Sequence, residues 1–468
     1  MSGIERVIRL LIQQRRHYVM ALVRSSFRTR GSRFTKYATA IRCVDECERS
    51  STVRLHYLSD GSVNVGVTLG RQEIFLPLAL VFRALTDLSD YELQSRVLKG
   101  VLVGGKVEFG YAQETLEKIF ETAFQATIRT RTDALEYVGS MFKAVFPGRA
   151  SSILEVGERI MHSCIFVHLR TNGAKSDLLI FMLNKLLSLV SGNCKEDNPD
   201  SLVHQEILLP GFLLQNILHE KLNEALLRVK SELERIDRVN IADLSDDKLN
   251  TLVMAAIKRI DVGRQLEYFL ATGNLVSKTG LGLSQTSGFT IVAEKLNYLR
   301  YISHFRSIHR GAYFAELRTT TVRKLLPESW GFMCPVHTPD GSPCGLLTHM
   351  SASCQVAMGS NAYKRRSDEV FDAVVETISR YCRLLTPEGI KDIKMCPVLV
   401  DGLVLGYIPV NDVWAVASTL RHQKVSSESI ITEELEIAVL PDSEISGAYP
   451  CLVIFSGSSR LLRPVRNE

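Results

Sequence analysis

Polar and apolar positions alternate through Val53, Leu55 and Tyr57, and again through Val63, Val65 and Val67. A period of two predicts two strands, and Asp60-Gly61 between them predicts a hairpin turn. The preceding run from Phe27 reads as strand as well, whereas GIERVIRLLIQQRR near the start allows a short strand or a short helix. From Leu76 to Val190 the period changes. Leu116, Ile119, Phe120 and Phe124 recur at helical steps, LLIFMLNKLLSLV is spaced likewise, and a mostly helical region follows from both. Asn193 to Pro199 is a polar break. After Pro210, the positions Leu214, Leu218, Leu222, Ala225, Val229, Leu233 and Ile236 predict a long amphipathic helix that packs on the core through that stripe. Tyr298, Tyr301, Ile302, Phe305 and Ile308 predict another helix, ended by Gly311. Beyond Met350, Val398 to Val400, the turn Asp401-Gly402 and Leu403 to Ile408 predict a second hairpin. Trp414 to Leu420 reads as a short helix, and Leu435 to Leu440 and Cys451 to Phe455 as strands. The fold class expected is α+β with several domains.

Composition narrows the class of protein. The 468 residues are 46% hydrophobic and 23% charged, as in ordinary soluble globular chains, with material for about three or four domains. A net charge of +5 permits contact with a polyanion. No run reaches the roughly 18 apolar residues of a membrane span, since Asn184 and Lys185 interrupt Leu178 to Val190. Arginines at 6, 9, 15 and 16 break any secretory signal, and ten scattered cysteines suit reduced thiols in the cytosol or nucleus.

Charge is concentrated in one stretch. Between Arg300 and Trp330 there are six Lys or Arg residues against two acids. Ser303, Arg306, Ser307 and Arg310 share one face of the expected helix. Arg318, Arg323 and Lys324 lie among Thr319, Thr320 and Thr321, a mixture of cations and hydroxyls suited to phosphate oxygens. Trp330 then leads into a turn marked by Pro339, Asp340 and Gly341. A rigid turn beside a basic loop would hold the cations at a fixed place. His304, at the apolar edge of the helix, reads as a packed structural histidine.

Catalytic signatures are weak. Cys334, His337, Cys344 and His349 fall within sixteen positions, but three prolines stiffen the intervening turns and no Cys pair with two residues between them occurs, so no metal site is assigned. Gly280, Gly282 and Gly288 lack dinucleotide-fingerprint spacing. The chain has no GxSxG elbow, no Walker lysine loop and no aspartate cluster suited to two-metal phosphoryl transfer.

The stretch SHFRSIHRGAYFAELRTTTVRKLLPESWGFMCPVHTPDGSPCGLL resembles the fork region of the second-largest subunit of multisubunit DNA-dependent RNA polymerases, in its RNA polymerase I form. The resemblance implies a chain without N- and C-terminal parts of that subunit. It implies protrusion segments at 1–17 and 201–262, a mostly helical lobe at 18–200 with β-hairpins, a fork at 263–355 and a mixed α/β external domain at 356–468. Leu270 to Gly288 would be a flexible fork loop. Arg306, Arg310, Arg318, Arg323 and Lys324 would contact nucleic acid, while His304, Trp330, Pro339, Asp340 and Gly341 support the fork. The implied partners are a DNA template, an RNA–DNA hybrid, the largest subunit and other polymerase subunits, in the nucleus and nucleolus. Catalytic residues and the expected magnesium would belong to the rest of the enzyme, with no cofactor bound by this chain. The rival expectations are a truncated, non-catalytic nucleic-acid-binding or assembly factor and a zinc-knuckle protein.

Overall fold

Parts of the chain far apart in sequence converge on the strand Leu10–Gln14. The computed structural model describes residues 3–69, 72–104, 109–124, 128–143, 152–236, 246–258, 261–283, 285–317, 319–358, 364–381, 394–426, 429–441 and 447–465. Leu10–Gln14 pairs antiparallel with Gln205–Leu208 and parallel with Ser307–His309, which pairs in turn with Leu347–His349. Leu10, Ile207, Ile308 and Met333 form the apolar cluster under this sheet. The neighbouring strand Arg6–Ile8 pairs with Thr290–Val292. The ambiguous N-terminal run is therefore strand.

The expected hairpin is the centre of a five-stranded antiparallel meander: Val19–Val23, Phe34–Val44, Ser50–Leu58, Val63–Leu69 and Gln72–Pro77. Val53, Leu55, Val63, Val65 and Val67 point inward and are at most 2% exposed. At the turn, Asp60 Oδ1 accepts from the Ser62 amide and hydroxyl, and Gly61 takes φ +87. Six helices follow, from Leu78–Leu85 to Asn172–Val190. Capping boxes start Arg131–Phe142 and Ile153–Ser163, Thr130 with Asp133 and Ser152 with Glu155. These two helices cross at glycines: a Cβ on Gly139 would lie 1.9 Å from the Ile153 carbonyl oxygen. Asn172–Val190 is buried almost throughout, and Lys185 reaches Asp197 at 2.8 Å and the Val19 carbonyl at 2.8 Å. Among the described residues, no helix is long and apolar enough to cross a membrane.

The C-terminal sheet runs in the order Leu403–Pro409, Met395–Val400, Cys451–Phe455, Glu436–Leu440. Its hairpin turns at Asp401 and Gly402, whose φ values of +46 and +83 suit the primed turn that matches strand twist. Lys364–Tyr381 and Val413–Val425 pack on one face through Val370, Val374, Ile378, Val416 and Leu420. Leu399, Tyr449, Cys451, Val453 and Phe455 join the core of the N-terminal meander and helices. An ionic seam ties these parts together. Glu206, with a fully buried carboxylate, takes Arg16 at 3.1 Å and Arg42 at 2.6 Å, Arg16 also meets Glu48, and Arg15 and Arg460 share Glu436.

Two expected apolar stripes are displaced. The helix expected up to Gly311 is Tyr298–Arg306, because Ile308 enters the sheet opposite Leu10 and Thr348. Tyr298, Leu299 and Phe305 on it are exposed, while His304 is buried. The long helix Pro210–Ile236 exists, but it packs through Leu213, Ile217, Lys221 and Ala225. Leu218 and Leu222 of the expected stripe face solvent. Glu220 finds partners across the contact at Ser277 and Thr279, and Lys221 one turn along its own helix at Glu224, so buried polar groups mark the inner face where a count of leucines could not. The side chains of Phe124, Leu233 and Ile236 lie outside the described residues.

Candidate nucleic-acid interface

The cationic stretch leaves the central sheet at Arg310 and returns to it at Leu347. Its helix begins at Asn297, which accepts the Arg300 amide at 2.8 Å. Arg300 itself pairs with Glu294 at 2.8 Å. His304 Nε2 accepts the Glu294 amide at 3.2 Å, and burial, followed by Arg300, lowers its pKa from the ordinary histidine value. It is a neutral structural acceptor.

Arg306, Arg310 and Arg323 are turned back onto the protein. Arg306 donates from one Nη to the carbonyls of Ser351 and Cys354, the latter at 3.2 Å. Arg310 pairs with Asp200 at 2.5 Å and lies over the Phe314 ring, with its side chain 10% exposed. Arg323 donates to the carbonyls of Ser342 at 2.6 Å and Cys344 at 2.8 Å. Arg318 lies outside the described residues. Lys324 is exposed, as are Thr319, Thr320 and Thr321, while Val322 between them is buried and anchors the short turn Thr321–Arg323. The outward face of the loop thus consists of hydroxyls and Lys324, and Arg323 secures it from behind.

Pro339, Asp340 and Gly341 form the expected turn, with Gly341 at φ +84 and its carbonyl accepting the Cys344 amide at 3.1 Å. Thr338 bolts it down, donating to the Leu347 carbonyl at 2.8 Å and accepting the Gly345 amide at 3.0 Å. Gly345 has φ +74, and a Cβ there would lie 2.4 Å from the Arg323 carbonyl oxygen. Turn and basic loop are therefore in direct backbone contact. Trp330 differs from expectation: it is 67% exposed, and what it contributes is its carbonyl, which accepts from Arg463 at 2.8 Å. Among the described residues, no group of three or more His, Cys, Asp or Glu could hold a metal ion. His337 and His349 stack ring on ring at 3.4 Å.

The Gly-rich loop is held, contrary to its expected flexibility. Glu220 Oε1, from the long helix, accepts from the Ser277 hydroxyl at 2.9 Å, the Thr279 amide at 3.1 Å and the Thr279 hydroxyl at 2.8 Å. Gln285 at its far end accepts the Ala312 amide at 2.7 Å, linking loop and cationic stretch. Asp200, Glu220, Gln285 and Thr338 were not legible as supports, because each acts across a gap in sequence.

Comparison with known proteins bears on this arrangement. Residues 23–208 match the family model "RNA polymerase Rpb2, domain 2", 291–356 match "RNA polymerase Rpb2, domain 3", and 405–463 match "RNA polymerase I, Rpa2 specific domain". Over 99% of its length the chain is 41% identical to DNA-directed RNA polymerase I subunit RPA2 of Eremothecium gossypii, covering 38% of that protein. It is 40% identical to RPA135 of Saccharomyces cerevisiae, with 99% of the chain and 38% of the relative covered. It is 38% identical to human RPA2, with 100% of the chain and 40% of the relative covered. The chain belongs to the family of RNA polymerase I second-largest subunits. It spans about two fifths of the length of these relatives. Within this polymerase family member, the region matched at 291–356 contains the cationic stretch, its turn and the two strands that flank them, Ser307–His309 and Leu347–His349.

Proposed function

We propose that this chain supplies the lobe, part of the protrusion, the fork and the external domain of an RNA polymerase I second-largest subunit, in the nucleolus of the nucleus. In that setting it contacts the DNA template and RNA–DNA hybrid during synthesis of ribosomal RNA from ribonucleoside triphosphates, beside the largest subunit and the other polymerase subunits. The observation that carries this reading is the exposed hydroxyl and lysine loop, Thr319 to Lys324, clamped onto a backbone turn by Arg323 and Gly345. Phosphate contacts of this kind position a strand without reading its sequence. Arg318 and Lys324 are assigned to phosphate, and Arg306, Arg310 and Arg323 to holding the loop in place. The metal-assisted step is assigned to other parts of the enzyme.

Reconstituted polymerase carrying Arg318→Ala with Lys324→Ala tests this. Subunit assembly should be unchanged. Elongation should be weaker than the parent's at 50 mM salt and less sensitive to added salt, the parent losing about tenfold more affinity than the variant between 50 and 200 mM because two phosphate contacts are gone. Elongation unchanged across that range overturns the assignment.

A further inference from the structure

A cleft of about 1210 Å³ opens between the meander strand Ser50–Leu58, the helix Pro210–Ile236 and the Gly-rich loop. It shares no residue with the cationic stretch. The helix lines it with acceptors one turn apart: Asn216 Oδ1, Glu220 Oε2 and Glu224 Oε1 are buried oxygens with no hydrogen-bond donor. Asn216 is held through its other atom, Nδ2, by the Glu48 carbonyl at 2.9 Å. Glu220 is 9% exposed, and its Oε1 is committed to Ser277 and Thr279, which leaves Oε2 to the cleft. Glu224 Oε1 has a long ion pair with Lys278 at 3.8 Å, and its other oxygen meets Lys221 at 3.4 Å. The remaining lining is rich in donors: Arg49, Arg54, Arg228 and Lys278, with the hydroxyls of Ser50, Ser51 and Thr52. Arg49 and Arg54 also hold Asp45 and Glu73, whereas Arg228 and the Lys278 side chain, 83% exposed, stand in solvent at the cleft.

A buried acceptor left without a donor is costly, so the row calls for a ligand that brings N–H or O–H groups. Arg49 and Arg54 are held by Asp45 and Glu73, whereas Arg228 and Lys278 stand at the open side of the cleft, so a ligand with an anionic end fits there. A simple phosphate satisfies the cations and leaves the acceptor row empty. A basic peptide does the reverse. A nucleotide has both halves: phosphate oxygens for the cations, and a base edge with ribose hydroxyls for the acceptors. Guanine fits best, because its N1–H and exocyclic N2–H groups lie on one edge and offer a donor to each of the open oxygens, Glu220 Oε2 and Glu224 Oε1.

We propose that this cleft binds a guanine nucleotide, its base edge on Glu220 and Glu224 and its phosphates toward Lys278, Arg228 and the two strand arginines. The nucleotide is either free or one unit of a single strand.

The test is titration of a fluorescent GTP analogue into the full chain, with unlabelled GTP, ATP, inorganic triphosphate and a guanine-containing single-stranded oligoribonucleotide as competitors. GTP should compete at least tenfold better than ATP or triphosphate. Glu224→Gln should erase the preference for GTP over ATP, and Arg228→Ala with Lys278→Ala should weaken GTP and triphosphate alike. An oligonucleotide that competes tenfold better than GTP places the natural occupant in a strand, and the reverse makes it a free nucleotide. Photo-crosslinking of 6-thio-GTP should label peptides from the cleft. Absence of saturable binding, equal competition by GTP, ATP and triphosphate, or crosslinks confined to other surfaces overturns the proposal. None of these results alters the salt dependence expected of the cationic loop, so the two readings fail separately.

Discussion

Lys324 and Arg323 are adjacent cations with different environments, and that difference predicts opposite phenotypes. Lys324 is exposed, so Lys324→Ala should leave stability within about 0.5 kcal/mol of the parent. If its ammonium neutralises one phosphate, the slope of log affinity against log salt should fall in magnitude by about 0.9 on duplex or about 0.7 on a single strand. Over the fourfold change from 50 to 200 mM, the parent then loses about threefold more affinity than the variant. Arg323→Ala instead removes two charge-assisted hydrogen bonds, to the carbonyls of Ser342 and Cys344. At this partly exposed position their loss should cost about 1–2 kcal/mol and loosen the turn. Binding should weaken by a similar factor at every salt concentration, with little change in slope. Arg323→Lys should rescue poorly, because an ammonium cannot span both carbonyls as the planar fork does. Fluorescence anisotropy with labelled bubble DNA at several salt concentrations, beside thermal melts of each variant, measures both quantities. A slope unchanged by Lys324→Ala, or an Arg323→Ala slope change as large as that expected for Lys324, refutes the division of roles.

Glu206→Gln keeps the shape of the buried hub but removes its charge, leaving Arg42 buried without its carboxylate and Arg16 with Glu48 alone. Breaking such a pair costs about 3–5 kcal/mol, readable as a fall in the denaturation midpoint, and a change under 1 kcal/mol would deny the seam its proposed weight. His309 supplies a pH dependence. Burial, then Arg9, lowers its pKa to about 4, and its Nδ1 accepts the Gly311 amide at 2.8 Å. A depressed histidine pKa means that the unfolded chain binds the proton more readily, so stability is full above about pH 6.5 and declines as pH falls toward 4. The loss is bounded at about 3 kcal/mol and should be about half that at this half-buried site. Denaturation of His309→Gln against the parent at pH 7 and pH 5 checks it. An equal decline in both would remove His309 as the cause.

Local features of this fold were legible because their causes are local. Asp60-Gly61 and Asp401-Gly402 turn where expected, since each supplies a glycine at positive φ between alternating strands. The central sheet was not legible. Leu10–Gln14, Gln205–Leu208 and Ser307–His309 pair across nearly 300 positions, and nothing in three short apolar runs specifies their partners. That pairing is also what ended the helix at Arg306, since Ile308 gains a buried strand position that outweighs its helical spacing. The inner face of the long helix was misread for a related reason: Glu220 and Lys221 are buried because Ser277, Thr279 and Glu224 answer them. For the candidate site, the charge excess was legible and its orientation was not. Arg310 finds its carboxylate at Asp200, 110 positions away.

Arg306 and Arg323 are turned inward for a common reason. Between Arg310 and Leu346 the described chain has one short helix, several single turns and no strand, so many of its carbonyls lack a partner in regular structure. Backbone acceptors withdrawn from water need donors, and a guanidinium carries five in a fixed plane. Arg323 serves two such carbonyls, at Ser342 and Cys344, and Arg306 serves two just past the returning strand, at Ser351 and Cys354. A loop ordered beforehand loses less conformational freedom when it meets a ligand, so arginines that touch no phosphate can still strengthen binding by fixing the groups that do. The number of cations in such a stretch therefore overstates its phosphate contacts, and the salt slope, which reports only ions displaced, should be smaller than six positive residues suggest.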